Sequence, residues 1–265
     1  MWASSRPMTG QVLGIVPARL GSTRLPRKPL HPLLGKPLIE WVWRRVSAMK
    51  VLDRAVVATD SPEVADVCHA IGAPVELTSE DHVSGTDRVA EVARRAGYDG
   101  YRFVANIQGD EPLIEEEHVR SAIELVRSGN WEVGTCATPV QAGDASDGTS
   151  TVKVARADSG RALYFSRARI PWTSEATIPL QGAGGHTFLR HIGIYAYERS
   201  ALEQWVSLAP SRLEQIESLE QLRPLEADLR IGVAIVGRAH EGVDTLLDAA
   251  RVEQKLRHLN HSTLV

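Results

Sequence analysis

Apolar residues follow two rhythms through the first half of the chain. Short β-branched runs predict strands at "QVLGIVPA" (11–18), "RAVVATD" (54–60), "PVELT" (74–78), "YRFVANIQGD" (101–110) and "EVGTCATPV" (132–140). Between them, "LIEWVWRRVSAM", "PEVADVCHAIG", "SGTDRVAEVARRAG" and "EEEHVRSAIELVRSG" space apolar residues three or four apart, which predicts helices. Ser84 is placed to cap the third helix, with Asp87 in its first turn. Strict alternation of strand and helix predicts an α/β fold with a mostly parallel central sheet and helices on both faces. In such sheets ligands bind beyond the carboxyl ends of the strands.

The second half changes character. "STVKVARADSGRALYFSRARIPW" (150–172) predicts two strands around an Asp-Ser-Gly turn, and "SEATIPLQGAGGHT" (174–187) a polar connection. "GAGG" there is not a dinucleotide fingerprint, since no strand feeds it and no helix follows. A strand at "HIGIYAY", one helix over 212–227, a strand at "RIGVAIV" and a closing helix at "TLLDAARVEQKLRHL" complete the pattern. In the 212–227 helix, Leu213, Ile216, Leu219 and Leu222 form an inward seam, leaving Glu217, Glu220 and Gln221 outside it. No repeat and no long linker divides the chain. The expectation is one domain over 11–258 with an inserted arm at about 150–190, preceded by a disordered extension over 1–10, with Met8 a candidate start.

Charge sharpens this picture. The net charge is −3, yet no Asp or Glu precedes Glu40, while Arg6, Arg19, Arg24, Arg27, Lys28 and Lys36 do. A local cationic patch on a mildly acidic molecule calls for a small anion and argues against general nucleic-acid binding. Cys68 and Cys136 lie far apart in apolar surroundings and read as buried thiols. No apolar run reaches membrane-spanning length, so no membrane insertion and a cytoplasmic location are expected.

The chemistry is limited by what is missing. There is no Walker loop, no "HExxH", no "GxSxG", and no metal-type spacing among the nine histidines. What remains is the loop "ARLGSTRLPRKP" after the first strand. Gly21, Ser22 and Thr23 offer a tight turn with N–H and hydroxyl donors, and Arg19, Arg24 and Lys28 supply charge, a combination suited to a polyphosphate. "NIQGDEP" puts Asp110 and Glu111 at another strand end, where a hard cation or a simple turn would use them equally well. Asp244 in "GVDT" precedes the last helix, where an ordinary N-cap is the competing role.

Eight segments then occur in order: "PARLGSTRLPRKPL", "VATD", "DHVSGTDRVAEV", "NIQGDEPLI", "ALYFSRARIPW", "FLRHIGIYAY", "LEQIESLEQLR" and "GVDT". The series resembles the 3-deoxy-manno-octulosonate cytidylyltransferase (CMP-Kdo synthetase) family from about Val12 to about Val252. "NIQGDEP" and the basic loop suit many sugar nucleotidyltransferases; "DHVSGTDR" and "FLRHIGIY" are more specific. The resemblance implies a Rossmann-like homodimeric enzyme, with a dimerisation arm, that makes CMP-Kdo and pyrophosphate from CTP and Kdo with Mg²⁺ for lipopolysaccharide synthesis. By the same resemblance, Arg19, Arg24 and Lys28 bind the triphosphate, with Arg19 and Lys28 also catalytic. Ser84, Arg88 and Gln108 hold the cytidine and the reacting region. Asp110 and Asp244 ligate Mg²⁺ and are catalytic. His191, Tyr195, Glu220 and Gln221, with Gln108, face the sugar.

Two positions depart from the family pattern. Arg27 stands where Gly is usual between "RLP" and "KP". "PWTS" replaces "PWDR", leaving Ser174 in place of an arginine and making Arg167 or Arg169 the candidate for the sugar carboxylate. The rival readings are a cytidylyltransferase for sialic acid or an amino-substituted octulosonate, and a transferase for a phosphorylated sugar or alcohol served by Arg161, Arg167 and Arg169. A non-catalytic nucleotide sensor is the third, and it is expected to lack Asp110 or Asp244.

Overall fold

The computed structural model describes residues 9–22, 24–140, 151–172, 188–237, 239–240 and 242–262. The predicted connection at 174–187 and most of the N-terminal extension lie outside the described residues. Two compact units emerge. The first holds Gln11–Glu116 and His240–Val265, the second Glu117–Ala239 with Met1–Gly10.

In chain order the first unit contains β1 (Val12–Pro17), the short strands β2 (Pro32–Leu33) and β3 (Lys36–Pro37), and α1 (Leu38–Val46). It continues with β4 (Arg54–Thr59), α2 (Pro62–Ala70), β5 (Val75–Leu77), α3 (Gly85–Ala93) and β6 (Phe103–Asn106). The second unit follows with α4 (Glu116–Arg127), β7 (Val133–Val140), β8 (Lys153–Arg156), β9 (Ala162–Ser166) and β10 (Phe188–Glu198). It ends with α5 (Arg199–Ser207), α6 (Arg212–Glu217), α7 (Leu222–Glu226) and β11 (Ile231–Ile235). The chain then returns to the first unit for α8 (Leu246–Ser262).

The first unit is the parallel α/β structure that the alternation predicts. Its strands run β6-β1-β4-β5, with Ile15 opposite Val56 on one side and Asn106 on the other. Val12, Leu13, Ile15 and Val16 are fully buried, as expected of a strand covered on both faces. The helices start where short polar side chains satisfy free backbone N–H groups: Ser61 Oγ accepts from Val64 N, and Ser84 Oγ accepts from Asp87 N at 3.1 Å.

The second unit is mixed. β7 runs parallel to β11 and antiparallel to β10, which also pairs with β8 of the β8–β9 hairpin. That hairpin is the described part of the predicted arm, and Gly160 takes a positive φ of 97° at its Asp-Ser-Gly turn.

One predicted element is corrected. The helix expected over 212–227 is two short helices, because Ser218 adopts the left-handed conformation at φ 53° and closes α6. The inward seam holds at Leu219 and Leu222 but not across the break. Ile216 is 67% exposed, while Gln221, placed outside the seam, is only 7% exposed. A break changes the phase of every side chain beyond it, so a single 3.6-residue period no longer assigns the faces.

Candidate active site

The basic loop leaves the end of β1 held by its neighbours. Ala18 N donates to Ala58 O at 2.8 Å, and Leu20 N to Asp60 Oδ1 at 3.4 Å. Leu25 is buried in an apolar cluster with Leu33, Leu38, Leu113, Val243, Val252 and Leu256. One buried leucine thus pins a segment whose cations Arg19 and Arg24 remain exposed. Lys28 follows in a single 3₁₀ turn.

Two further segments reach the same place. In "NIQGDEP", Gly109 passes so close to β1 that a Cβ there would lie 2.5 Å from Pro17 O, so only glycine lets this loop lie against the start of the basic one. Val243 N donates to Asp110 O at 2.8 Å, which brings the backbone before α8 alongside Asp110. Asp244 is not the cap of α8. Thr245 and Asp248 cap that helix reciprocally, Thr245 N to Asp248 Oδ2 at 2.9 Å and Asp248 N to Thr245 Oγ1 at 3.2 Å. The Asp244 carboxylate is thereby spared for other contacts.

Those contacts are ionic. Lys28 Nζ lies 2.7 Å from Asp110 Oδ2 and 2.8 Å from Asp244 Oδ1, and Arg24 Nη2 lies 3.1 Å from Asp244 Oδ1. Burial alone would lower the Lys28 pKa; the charges and hydrogen bonds of Asp110 and Asp244 outweigh it and raise the pKa above the ordinary lysine value. The ammonium therefore stays charged at any working pH. Two carboxylates aimed at one cationic centre also fit a hard divalent ion that takes its remaining ligands from water and phosphate. Among the described residues no cluster of three or more His, Cys, Asp or Glu offers an all-protein cage.

Other expected nucleotide residues surround this point in the sequence. Ser84 caps α3, and its Oγ also lies 2.8 Å from Asp87 Oδ2. Arg88 is 2% exposed and braces the ends of two strands: it donates to Asp60 Oδ2 at 2.7 Å, to Ser79 O at 3.3 Å and to the Thr78 hydroxyl. Gln108 is half-buried in the Gly109 loop, where its carbonyl accepts from Glu111 N at 3.3 Å. Asp60 serves Arg88 and the basic loop together. Its place at the end of β4, in "VATD", was the signal for it.

The family is now decidable. A cytidylyltransferase family model matches residues 13–234. The chain is 49% identical over 240 residues to the 3-deoxy-manno-octulosonate cytidylyltransferase of Gemmatimonas aurantiaca, covering 91% of this chain and 92% of the relative. It belongs to the 3-deoxy-manno-octulosonate cytidylyltransferase family. The enzyme of that name from Yersinia enterocolitica is 43% identical, covering 91% of this chain and 96% of its own. A solved CMP:2-keto-3-deoxy-manno-octonic acid synthetase complexed with CTP superposes with a TM-score of 0.83 at 36% identity, covering 94% of this chain and 99% of that one. A cytidylyltransferase from Leptospira borgpetersenii shares the fold alone, at 17% identity and a TM-score of 0.59.

Apart from Gln108, the residues that family resemblance assigns to the sugar lie in the second unit. A β-bulge in β10 separates His191 from Tyr195, and the Thr135 hydroxyl stitches it, lying 2.7 Å from Ile194 O and 2.9 Å from His191 Nε2. The His191 and Tyr195 rings are 5.4 Å apart, and Phe165 meets His191 edge-on at 5.0 Å. Burial, with Arg190 adding to it, lowers the His191 pKa to about 3, so the ring is neutral. The Tyr195 hydroxyl is buried with no hydrogen-bond partner among the described residues. Burial raises its pKa, and the charges of Tyr197 and Glu220 add to it. Of the candidates for the sugar carboxylate, Arg167 directs its Nε to Glu217 O at 3.1 Å and Nη2 to Ser218 O at 3.4 Å, while Arg169 lies over the Phe188 ring at 4.3 Å.

Proposed function

We propose that this protein forms CMP-Kdo and pyrophosphate from CTP and Kdo, with Mg²⁺, as a homodimer in the cytoplasm and in the service of lipopolysaccharide synthesis. The observation that carries the reading is the convergence of Arg24 and Lys28 with Asp110 and Asp244 in a chain of this family. No helix among the described residues is long and apolar enough to cross a membrane.

The reaction joins a sugar hydroxyl to the α-phosphate. A new O–P bond forms as the sugar O–H bond and the bridging bond to the β-phosphate break; the proton passes to solvent water, and pyrophosphate leaves with the electron pair of the broken P–O bond. Such transfers depend mainly on positioning and charge neutralisation. Asp110 and Asp244 would hold Mg²⁺, which when bound supplies charge neutralisation at the phosphates and polarises their oxygens. A triphosphate offers Lys28 and Arg24 the negative charge that the two carboxylates now provide, so these cations and Arg19 would clamp the departing pyrophosphate. Ser84 and Gln108 present polar groups to the nucleotide, and Arg88 serves it through the strand ends it braces. Neutral His191, with Tyr195, Glu220 and Gln221, would hold the polyhydroxylated acid by hydrogen bonds rather than by charge.

The test is turnover of CTP and Mg²⁺ with Kdo, an amino-substituted octulosonate or sialic acid, following pyrophosphate release and product mass. Kdo is expected to react fastest, and Gln221→Ala to raise the KM for Kdo far more than that for CTP. Faster turnover of a competitor would reassign the sugar and keep the nucleotide.

A further inference from the structure

We infer that Glu217 is a positioning residue that welds the turn carrying Glu220 and Gln221 to the end of β9, and so sets the sugar side of the reaction. The inference rests on the reading of those two side chains as sugar ligands. Glu217 ends α6, and its carboxylate and backbone oxygen are directed at the end of β9, where Tyr164 also bonds to the carboxylate. Its Oε1 accepts from Ser166 Oγ at 2.6 Å, its Oε2 from Arg167 N at 3.0 Å, and its backbone oxygen from Arg167 Nε at 3.1 Å. Arg167 Nη2 adds a bond to Ser218 O at 3.4 Å, on the residue held left-handed at φ 53°. The turn is thus fixed at the position where the helix breaks.

Its other end is fixed separately. Arg223 of α7 meets Glu214 of α6 through two hydrogen bonds, 2.8 and 2.6 Å, and closes the angle between the two short helices. That pair shapes the helix–turn–helix unit, and Arg223 Nη1 also reaches Leu208 O ahead of α6 at 3.5 Å. Glu217 supplies the attachment to β9, and that strand is the one that supports the histidine. Phe165, directly before Ser166, packs edge-on against His191, whose neighbour Tyr195 has the buried, unpartnered hydroxyl. One strand end therefore holds both groups in register, His191 and Tyr195 through Phe165, Glu220 and Gln221 through Ser166, Arg167 and Glu217. The buried Tyr195 hydroxyl, without a hydrogen-bond partner among the described residues, is a group that a polyhydroxylated ligand would satisfy.

The experiment compares the wild type with Glu217→Gln and Ser166→Ala. Glutamine keeps the shape and one acceptor but turns an N–H₂ toward one of these donors; alanine at 166 removes a single bond to Glu217. Each variant is assayed for the KM of Kdo, the KM of CTP, CTP affinity by calorimetry, and melting temperature. Loss of alignment at a hydrogen-bonding site should raise the Kdo KM of Glu217→Gln by about tenfold or more. Ser166→Ala should show a smaller rise, with CTP affinity unchanged in both. Glu217→Asp, which restores the charge, should recover part of the loss. Equal effects on Kdo and CTP, or a lowered melting temperature with an unchanged Kdo KM, would reduce Glu217 to a structural contact and overturn the inference. If Glu217→Gln fails to fold, Ser166→Ala decides by the same criterion. A wild type that turns over CTP only with another acid defeats the sugar assignment instead, and is seen before any variant is made.

Discussion

Lys28 and Asp244, 216 residues apart in the chain, are joined by a hydrogen bond of 2.8 Å. The cation proposed for a phosphate and the carboxylate proposed for a metal satisfy one another. Both partners are partly shielded from water, which makes the contact stronger than a surface ion pair and its removal more costly.

Lys28→Met should therefore act twice. CTP affinity should fall by roughly 1.5–3 kcal/mol, the usual worth of a charge-assisted phosphate contact. The two carboxylates, left with only the exposed Arg24 on Asp244, should make Mg²⁺ raise the melting temperature of the variant more than that of the wild type. Calorimetry with CTP and melts with and without Mg²⁺ read the two effects separately. Equal Mg²⁺ stabilisation of both proteins would show that the carboxylates do not share a cation site.

Asp110→Asn and Asp244→Asn should each remove most turnover at limiting Mg²⁺. Groups serving one ion act as a unit, so the double variant should be scarcely worse than either single one. Single-turnover assays over a Mg²⁺ series test this. Multiplying effects would assign the two aspartates to separate tasks.

Arg27 is the residue where this chain departs from a family glycine, and it stands at φ 56°. An L-residue in the left-handed region costs about 1–2 kcal/mol relative to glycine, partly offset by the greater freedom glycine has when unfolded. The Arg27–Glu63 ion pair lost on substitution is more than half exposed on both sides and contributes little. Arg27→Gly should therefore raise stability by about 0.5–1 kcal/mol. Urea denaturation measures it, and a destabilised variant would mean that the pair with Glu63 outweighs the backbone strain.

Acid should weaken the second unit through His191. Its folded pKa is about 3 against an ordinary 6.5, so the unfolded chain takes up a proton that the folded one refuses. The contribution to stability is complete above pH 6.5 and is lost as the pH falls toward 3, at about 1.4 kcal/mol per pH unit. His191→Gln should flatten this part of the stability–pH curve. An unchanged slope in denaturation series between pH 6.5 and 4 would contradict the neutral buried ring.

Much of this protein is decided locally and is legible in the chain itself. The strand–helix alternation of the first unit follows from apolar period, and the start of its third helix from Ser84, because each depends on residues within a turn of one another. The cationic loop is equally plain, since no acidic residue precedes Glu40. What sequence left open were roles that depend on distance in space. Asp244 could have been a cap until Thr245 and Asp248 took that task, and Asp110 could have been a turn residue until Val243 and Gly109 brought it to Lys28. The helix over 212–227 was misread for a related reason. Nothing in its apolar spacing announces that Glu217 bonds to a strand 50 residues earlier, and that long-range attachment accompanies the left-handed turn at Ser218 that exposes Ile216 and buries Gln221. Periodicity records how a segment meets its own neighbours; only the tertiary fold decides which distant donor a carboxylate will find, and hydrogen bonds of that kind outrank a single helical period.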